Sequence, residues 1–251
     1  MTTNVSCLFF VLTSTLILGH SPFNVIQLLW INLIMDVLAA IAFSTENPHP
    51  TQIRKERIKE GQKVITQLMM RNILSQVLYQ VIVMIILLFA APAAGDYEYN
   101  FYTTGMKNND EERSPSYRIL HQTFMFHCFV MMNLFNMVNC RVLGSMPARP
   151  VPIEESSLNE VVHTGTDGRE FNIFVRIHHN WWFLIILLAE LNIQYIMVGY
   201  NFFAPLFTTT PLCPRMHLTA VLLGLGSWAI GALTKLTPAK LVYAMPVFGE
   251  D

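Results

Sequence analysis

Apolar residues in this chain come in long, nearly unbroken blocks: Val5–Gly19, Phe23–Phe43, Ile73–Ala91, Phe124–Val138, Trp181–Tyr200 and Leu218–Leu236. Each is close to the ~20 residues that a helix needs to cross a bilayer, the first being the shortest. The blocks are too long for strands, and none alternates with the period of two of a barrel strand. The pattern therefore predicts an all-α, polytopic transmembrane bundle of about six helices, over residues 1–19, 22–45, 69–91, 119–140, 181–200 and 217–236. Ser21-Pro22 reads as an N-cap followed by a first-turn proline, so the second helix is expected to start there. Asn47-Pro48-His49-Pro50 closes it. Gln52–Lys63 is charged and amphipathic, which suits a solvated face lying along the membrane surface. Gly144–Phe171, rich in Pro, Ser and Glu, reads as a loosely ordered part of a loop over 141–180.

Composition agrees with a membrane setting: 53% of residues are hydrophobic and 13% charged, about half the charged share of a soluble domain. The net charge of −1 says little about partners and gives no basic face for nucleic acid, but the placement of charge gives an orientation. Glu46–Arg71, Arg141–Asn180 and the C-terminus together hold twelve of the sixteen Lys and Arg, five of them at Arg54, Lys55, Arg57, Lys59 and Lys63. The intervening loops hold Lys107, Arg113, Arg118 and Arg215. By the positive-inside rule the first set is cytosolic. The four cysteines, three of them in or beside spans, imply no disulfide framework. Val5–Gly19 is not read as a signal-peptide core, because no positive residue precedes it and no small-x-small site follows. The chain reads instead as starting inside a helix.

Asp36 lies in the middle of Val25–Phe43. A carboxylate at bilayer depth is costly, and such residues usually face a bundle interior and mark an ion or proton path. Asn32, four residues earlier, projects from the same face of a regular helix. The other reading is an aspartate hydrogen-bonded to a neighbouring helix with no ion.

Ser21-Pro22, Gln27, Trp30, Asn32-Leu33-Ile34-Met35-Asp36 and Ser44-Thr45-Glu46 resemble the sixth transmembrane helix of P-type calcium pumps of the plasma-membrane type. Met69–Leu74 with Val77, Tyr79 and Gln80 resembles the start of that family's seventh helix. Phe129–Asn136 with Asn139 resembles its eighth, and Gly224-Leu225-Gly226 through Lys235–Pro238 its tenth. These matches run in order across nearly the whole chain, so Val5–Gly19 corresponds to part of the fifth helix, with Asn4 where the family carries an asparagine. The resemblance implies the C-terminal membrane domain of an ATP-driven calcium translocase in the plasma membrane or an intracellular membrane. It makes Asn32 and Asp36 ligands of the single transported calcium ion. Calcium takes six to eight oxygens, so these two supply only part of a shell; in the family the rest comes largely from the fourth helix.

In the family, ATP and Mg act through phosphorylation, nucleotide and actuator domains. Asp-Lys-Thr-Gly, Thr-Gly-Glu and Gly-Asp-Gly do not occur in these 251 residues, so no ATPase activity is expected from this chain alone. The expected partners are the lipid bilayer and the catalytic part of a pump. The alternative is a non-enzymatic, pump-derived protein that associates with an intact pump. Reticulum-type pumps have a second calcium site with glutamates on the fifth and eighth helices; Cys7 and Asn133 stand there, which favours one ion. Met137 departs from a glutamate often found in the eighth helix, and no long basic calmodulin-binding tail follows Leu236. Glu190 and Gln194 face one direction, and because the family's ninth helix is peripheral to the ion path, Glu190 is expected to be packed and protonated or paired. His127, Asn136 and Asn139 are expected to bond between helices rather than to bind metal.

Overall fold

A computed structural model describes residues 1–19, 21–45, 67–89, 115–143, 180–200 and 202–235. Six helices account for nearly all of them: α1 (Thr2–Leu18), α2 (Val25–Ser44), α3 (Gln67–Phe89), α4 (Pro115–Leu143), α5 (Trp181–Gly199) and α6 (Pro214–Lys235). All but α1 are long and apolar enough to cross a membrane, and the chain is a multi-pass integral membrane protein. Most large exposed side chains are Leu, Ile, Val and Phe, among them Leu8, Leu12, Leu29, Leu78, Ile185 and Leu222. In lipid such a surface carries no penalty, because hydrocarbon is as apolar as the side chains themselves.

The centre of the bundle is α4. Its span is 89% buried, whereas no other span exceeds 39%. α6 lies along α4, α3 packs against α1, α4 and α6, and α5 packs against α4 and the second half of α2. Without a hydrophobic driving force between helices in lipid, close approach and interhelical hydrogen bonds hold such a bundle together. Both occur here. Gln76 and Ser227 exchange hydrogen bonds, Nε2 to the Ser227 carbonyl at 2.9 Å and Ser227 Oγ to Gln76 Oε1 at 2.8 Å. Tyr79 Oη donates to the Leu223 carbonyl at 2.7 Å. Asn139 Nδ2 donates to the Ser227 carbonyl at 2.9 Å, and Trp228 Nε1 to that of Phe135 at 3.0 Å. A Cβ at Gly224 would run into the Phe135 ring, and one at Gly226 into the Tyr79 hydroxyl.

The Gly226 contact gives a direct packing test. Gly226→Ala should destabilise the chain in detergent by ~1–3 kcal/mol, the usual cost of overpacking. Adding Tyr79→Phe, which removes the colliding oxygen, should recover part of that loss. Thermal unfolding of the two variants checks this, and equal melting in wild type and Gly226→Ala would show that the helices are not this close.

The apolar blocks become helices as expected, with one shifted start. Ser21-Pro22 does not cap the second helix. Ser21 Oγ instead donates to the Phe23 carbonyl and accepts from the Phe23 N–H, closing a local turn. That turn drives Phe23 into an aromatic cluster, 5.3 Å from Phe10 and 5.8 Å from Phe129 between ring centroids. The helix starts three residues later, where the Asn24 N–H donates to Gln27 Oε1 at 3.1 Å. Burial of Phe23 outweighs the local signal of Ser-Pro. The other helix ends lie within about four residues of their expected positions, α1 closing at Gly19 with φ of 75°. The Asn47–Pro50 stop, the stretch 52–63, the loop interior 144–171 and the tail after Leu236 lie outside the described residues.

Candidate functional site

The sixth-helix-like segment is not a regular α-helix. Val25–Leu29 and Asp36–Ser44 are α-helical, but Trp30–Met35 between them forms a π-helical turn, with backbone bonds reaching one residue further. The sequence there, Trp-Ile-Asn-Leu-Ile-Met, holds no Gly or Pro, so local chemistry does not dictate the turn. Tertiary anchors do.

The first half of α2 is held by the short turn at Ala204–Phe207. Gln27 Nε2 donates to the Phe207 carbonyl at 3.0 Å, Asn24 Nδ2 donates to Thr208 Oγ1 at 2.8 Å, and Trp30 stands edge-on to the Phe207 ring at 6.1 Å. Thr208 adopts φ of 52°, an unfavourable region for a β-branched residue, which the surrounding contacts over-determine. The second half is held by α5: Phe43 lies 6.0 Å from Phe183, and the side chains of Thr45 and Asn180 meet at 3.4 Å. Asn180 also caps α5, its Oδ1 accepting from the Phe183 N–H at 3.2 Å. With both ends fixed by different partners, the widened turn absorbs the residue left over between them.

Asn32 sits inside the widened turn and Asp36 immediately after it. Trp30, Ile31 and Met35 are buried, Asn32, Leu33 and Ile34 are exposed, and Asp36 is half-buried. Neither Asn32 nor Asp36 makes a side-chain hydrogen bond or ion pair among the described residues. Two oxygen-bearing side chains at mid-span therefore stand unengaged, which a hard cation can use. Among the described residues no group of three or more His, Cys, Asp and Glu forms a closed metal cage. By themselves the two side chains can supply at most part of a shell.

Asn133 and Cys7, the positions compared with a second ion site, are occupied otherwise. Asn133 Oδ1 accepts from Thr3 Oγ1 at 3.1 Å and from Gln80 Nε2 at 3.2 Å, and its Nδ2 donates to the Phe129 carbonyl at 2.9 Å. It joins α1, α3 and α4, with its oxygen already accepting two bonds. Cys7 is buried in the apolar core. Asn139 bonds between helices, as expected, and His127 does too, 3.1 Å from His217 on α6 and 3.4 Å from Gln194 on α5. Asn136 differs: its Oδ1 accepts from Cys140 on its own helix.

Glu190 is fully enclosed on α5, and its Oε1 has no hydrogen-bond partner among the described residues. It lies within electrostatic reach of Asp36, although no hydrogen bond joins the two. The second half of α2 packs on α5, so Glu190 is less remote from the candidate site than a peripheral helix would place it. Sequence alone carried no signal of that proximity, because the facing of two distant helices has no local signature.

The family described as cation transporting ATPase, C-terminus, matches residues 20–237. The chain is 29% identical over 240 residues to the probable calcium-transporting ATPase 6, plasma membrane-type, of Oryza sativa subsp. japonica, covering 96% of this chain and 19% of that protein. It is 30% identical over 240 residues to plasma membrane calcium-transporting ATPase 1 of Gallus gallus, covering 96% of this chain and 17% of the relative. The chain thus spans less than a fifth of the length of these relatives.

Proposed function

The chain belongs to the family of cation-transporting ATPase C-terminal regions, and from that premise we propose that it forms part of the membrane pathway of a calcium-transporting pump, with Asn32 and Asp36 as ligands of the transported ion. The observation that carries this reading is Asp36 itself, a mid-span carboxylate with no hydrogen-bond or ion-pair partner among the described residues. An aspartate kept for packing would bond to a neighbouring helix, because an unpaired carboxylate at that depth is costly. Calcium as the ion is supported by the names of the relatives, and by the preference of that cation for oxygen ligands.

In this reading Asp36 supplies the anionic oxygen that compensates part of the ion's charge, and Asn32 a neutral carbonyl oxygen from the widened turn. Asn133 takes no part, because its oxygen is already engaged. One ion is carried. The remaining ligands, and the coupling to ATP and Mg, come from a catalytic part of the pump with which this bundle assembles in the bilayer. Labelled-calcium uptake tests the reading, using vesicles that contain a plasma-membrane-type pump with its corresponding segment replaced by this chain. ATP-driven uptake is expected. A chimera that reaches the membrane and takes up no calcium while still accepting phosphate from inorganic phosphate would contradict it.

The charge distribution supports a topology with Glu46–Arg71 and Arg141–Asn180 on the cytosolic side and Pro92–Gln122 on the opposite side. A cysteine introduced at Lys59 should be labelled by an impermeant thiol reagent only from the cytosolic face of sealed vesicles. Labelling from outside would reverse the orientation.

A further inference from the structure

Glu190, Gln194, His127 and His217 form a polar string that the calcium ligands do not need. Glu190 and Gln194 are one helical turn apart on α5, so they share a face, and both are buried. Gln194 Nε2 lies 3.4 Å from His127 Nδ1, and His127 Nε2 lies 3.1 Å from His217 Nδ1. His127 is fully buried in α4, the central helix, and His217 is half-buried in the first turn of α6. Tyr195 lies beside both imidazoles, with ring centroids 5.4 Å and 5.1 Å away. The string therefore crosses three helices from mid-span to the membrane face where α5 ends and α6 begins.

The contacts are compatible with one ordered set of tautomers. With the Gln194 amide nitrogen toward His127, Nδ1 accepts and the ring carries its proton on Nε2; the amide turned over would reverse both roles. That N–H donates to His217 Nδ1, which leaves the His217 proton on Nε2 at the outer end. In that arrangement all donors point the same way. Among the described residues neither Glu190 Oε1 nor Gln194 Oε1, one turn apart and both buried, has a hydrogen-bond partner.

We propose that these four residues form a proton relay, with Glu190 as the mid-membrane carboxyl that is loaded and unloaded and His217 as its port to water. The relay does not depend on the calcium reading. In the outward direction the Gln194 amide turns away from His127 and the Glu190 carboxyl takes its place. The Glu190 O–H bond breaks and an N–H bond forms at His127 Nδ1. The His127 Nε2–H proton passes to His217 Nδ1, and the His217 Nε2–H proton leaves to water. One proton is lost by Glu190 and one gained by solvent, and each ring, left with its proton on Nδ1, returns to its starting state by a separate tautomerisation through water that moves no net proton. The neighbouring ionisable groups are Asp36 on α2, which acts on Glu190, Tyr195 on α5, and the exposed Arg215 in the first turn of α6.

The test uses the full chain reconstituted in phosphatidylcholine vesicles and infrared spectroscopy of the protonated-carboxyl C=O stretch after transfer to D₂O. A buried carboxylic-acid band that disappears in Glu190→Gln and survives in Asp36→Asn is expected. Its deuterium shift should slow by about tenfold or more in His217→Ala, and added imidazole should restore the rate. His217→Gln keeps a hydrogen-bonding group beside His127 but cannot carry a proton, so it should slow exchange without lowering the melting temperature. No protonated-carboxyl band, a band that survives Glu190→Gln, or an exchange rate unchanged in both His217 variants would overturn the relay.

Discussion

Asp36→Asn should abolish calcium-activated phosphorylation from ATP in a pump carrying this chain, or raise the calcium it requires by about a hundredfold or more, equivalent to ~3 kcal/mol. The substitution keeps the side-chain volume and replaces one anionic oxygen by an amide nitrogen that repels a cation. Asp36 is half-buried and makes no hydrogen bond among the described residues, so little packing energy changes with it. Phosphorylation from inorganic phosphate, which in this family uses the ion-free state, should persist and report that the protein is folded. Asn32→Ala removes the proposed neutral ligand from the same segment, and the loss should be smaller, about tenfold.

Deleting Leu33 should be as damaging as losing the charge, although Leu33 carries no chemistry. The π turn at Trp30–Met35 holds one residue more than a regular helix would place between the two anchors of α2. Removing it lets the helix close regularly, since the Phe207 and α5 contacts can then be met without widening. Asn32 then stands three rather than four residues before Asp36 in a regular helix, about 60° from it around the axis, and the pair loses the spacing that the widened turn gives it. Leu33→Ala keeps the length at an exposed position and should be nearly silent. The calcium dependence of phosphorylation in the two variants is the measurement. A deletion variant with normal calcium dependence would show that the widened turn is incidental.

The helices were legible because lipid imposes a length on each apolar run and no tertiary partner can override that. Their ends were less so. At Ser21-Pro22 a sound local signal lost to the burial of Phe23 against Phe10 and Phe129, contacts that join residues far apart in the chain. The centre of the bundle had a readable sign in hindsight. α4 has the lowest mean hydropathy of the spans and carries His127, Asn133, Asn136 and Asn139, and buried polar groups in a membrane gather where other helices satisfy them. Asp36 was legible as a candidate because the cost of a mid-span carboxylate is local. The widened turn around Asn32 was not, since it follows from anchors at Phe207 and Phe183 rather than from any breaker in Trp30–Met35. The approach of Glu190 to Asp36 was hidden for the same reason.

Equilibrium binding of labelled calcium to the chimeric pump, without ATP, tests the central claim most directly, because it reads the ligands without the phosphorylation chemistry. One calcium per pump is expected with the wild-type segment and none with Asp36→Asn at the same free calcium. Equal binding in the two would contradict the account and leave Asp36 as a residue of the helix rather than of the ion.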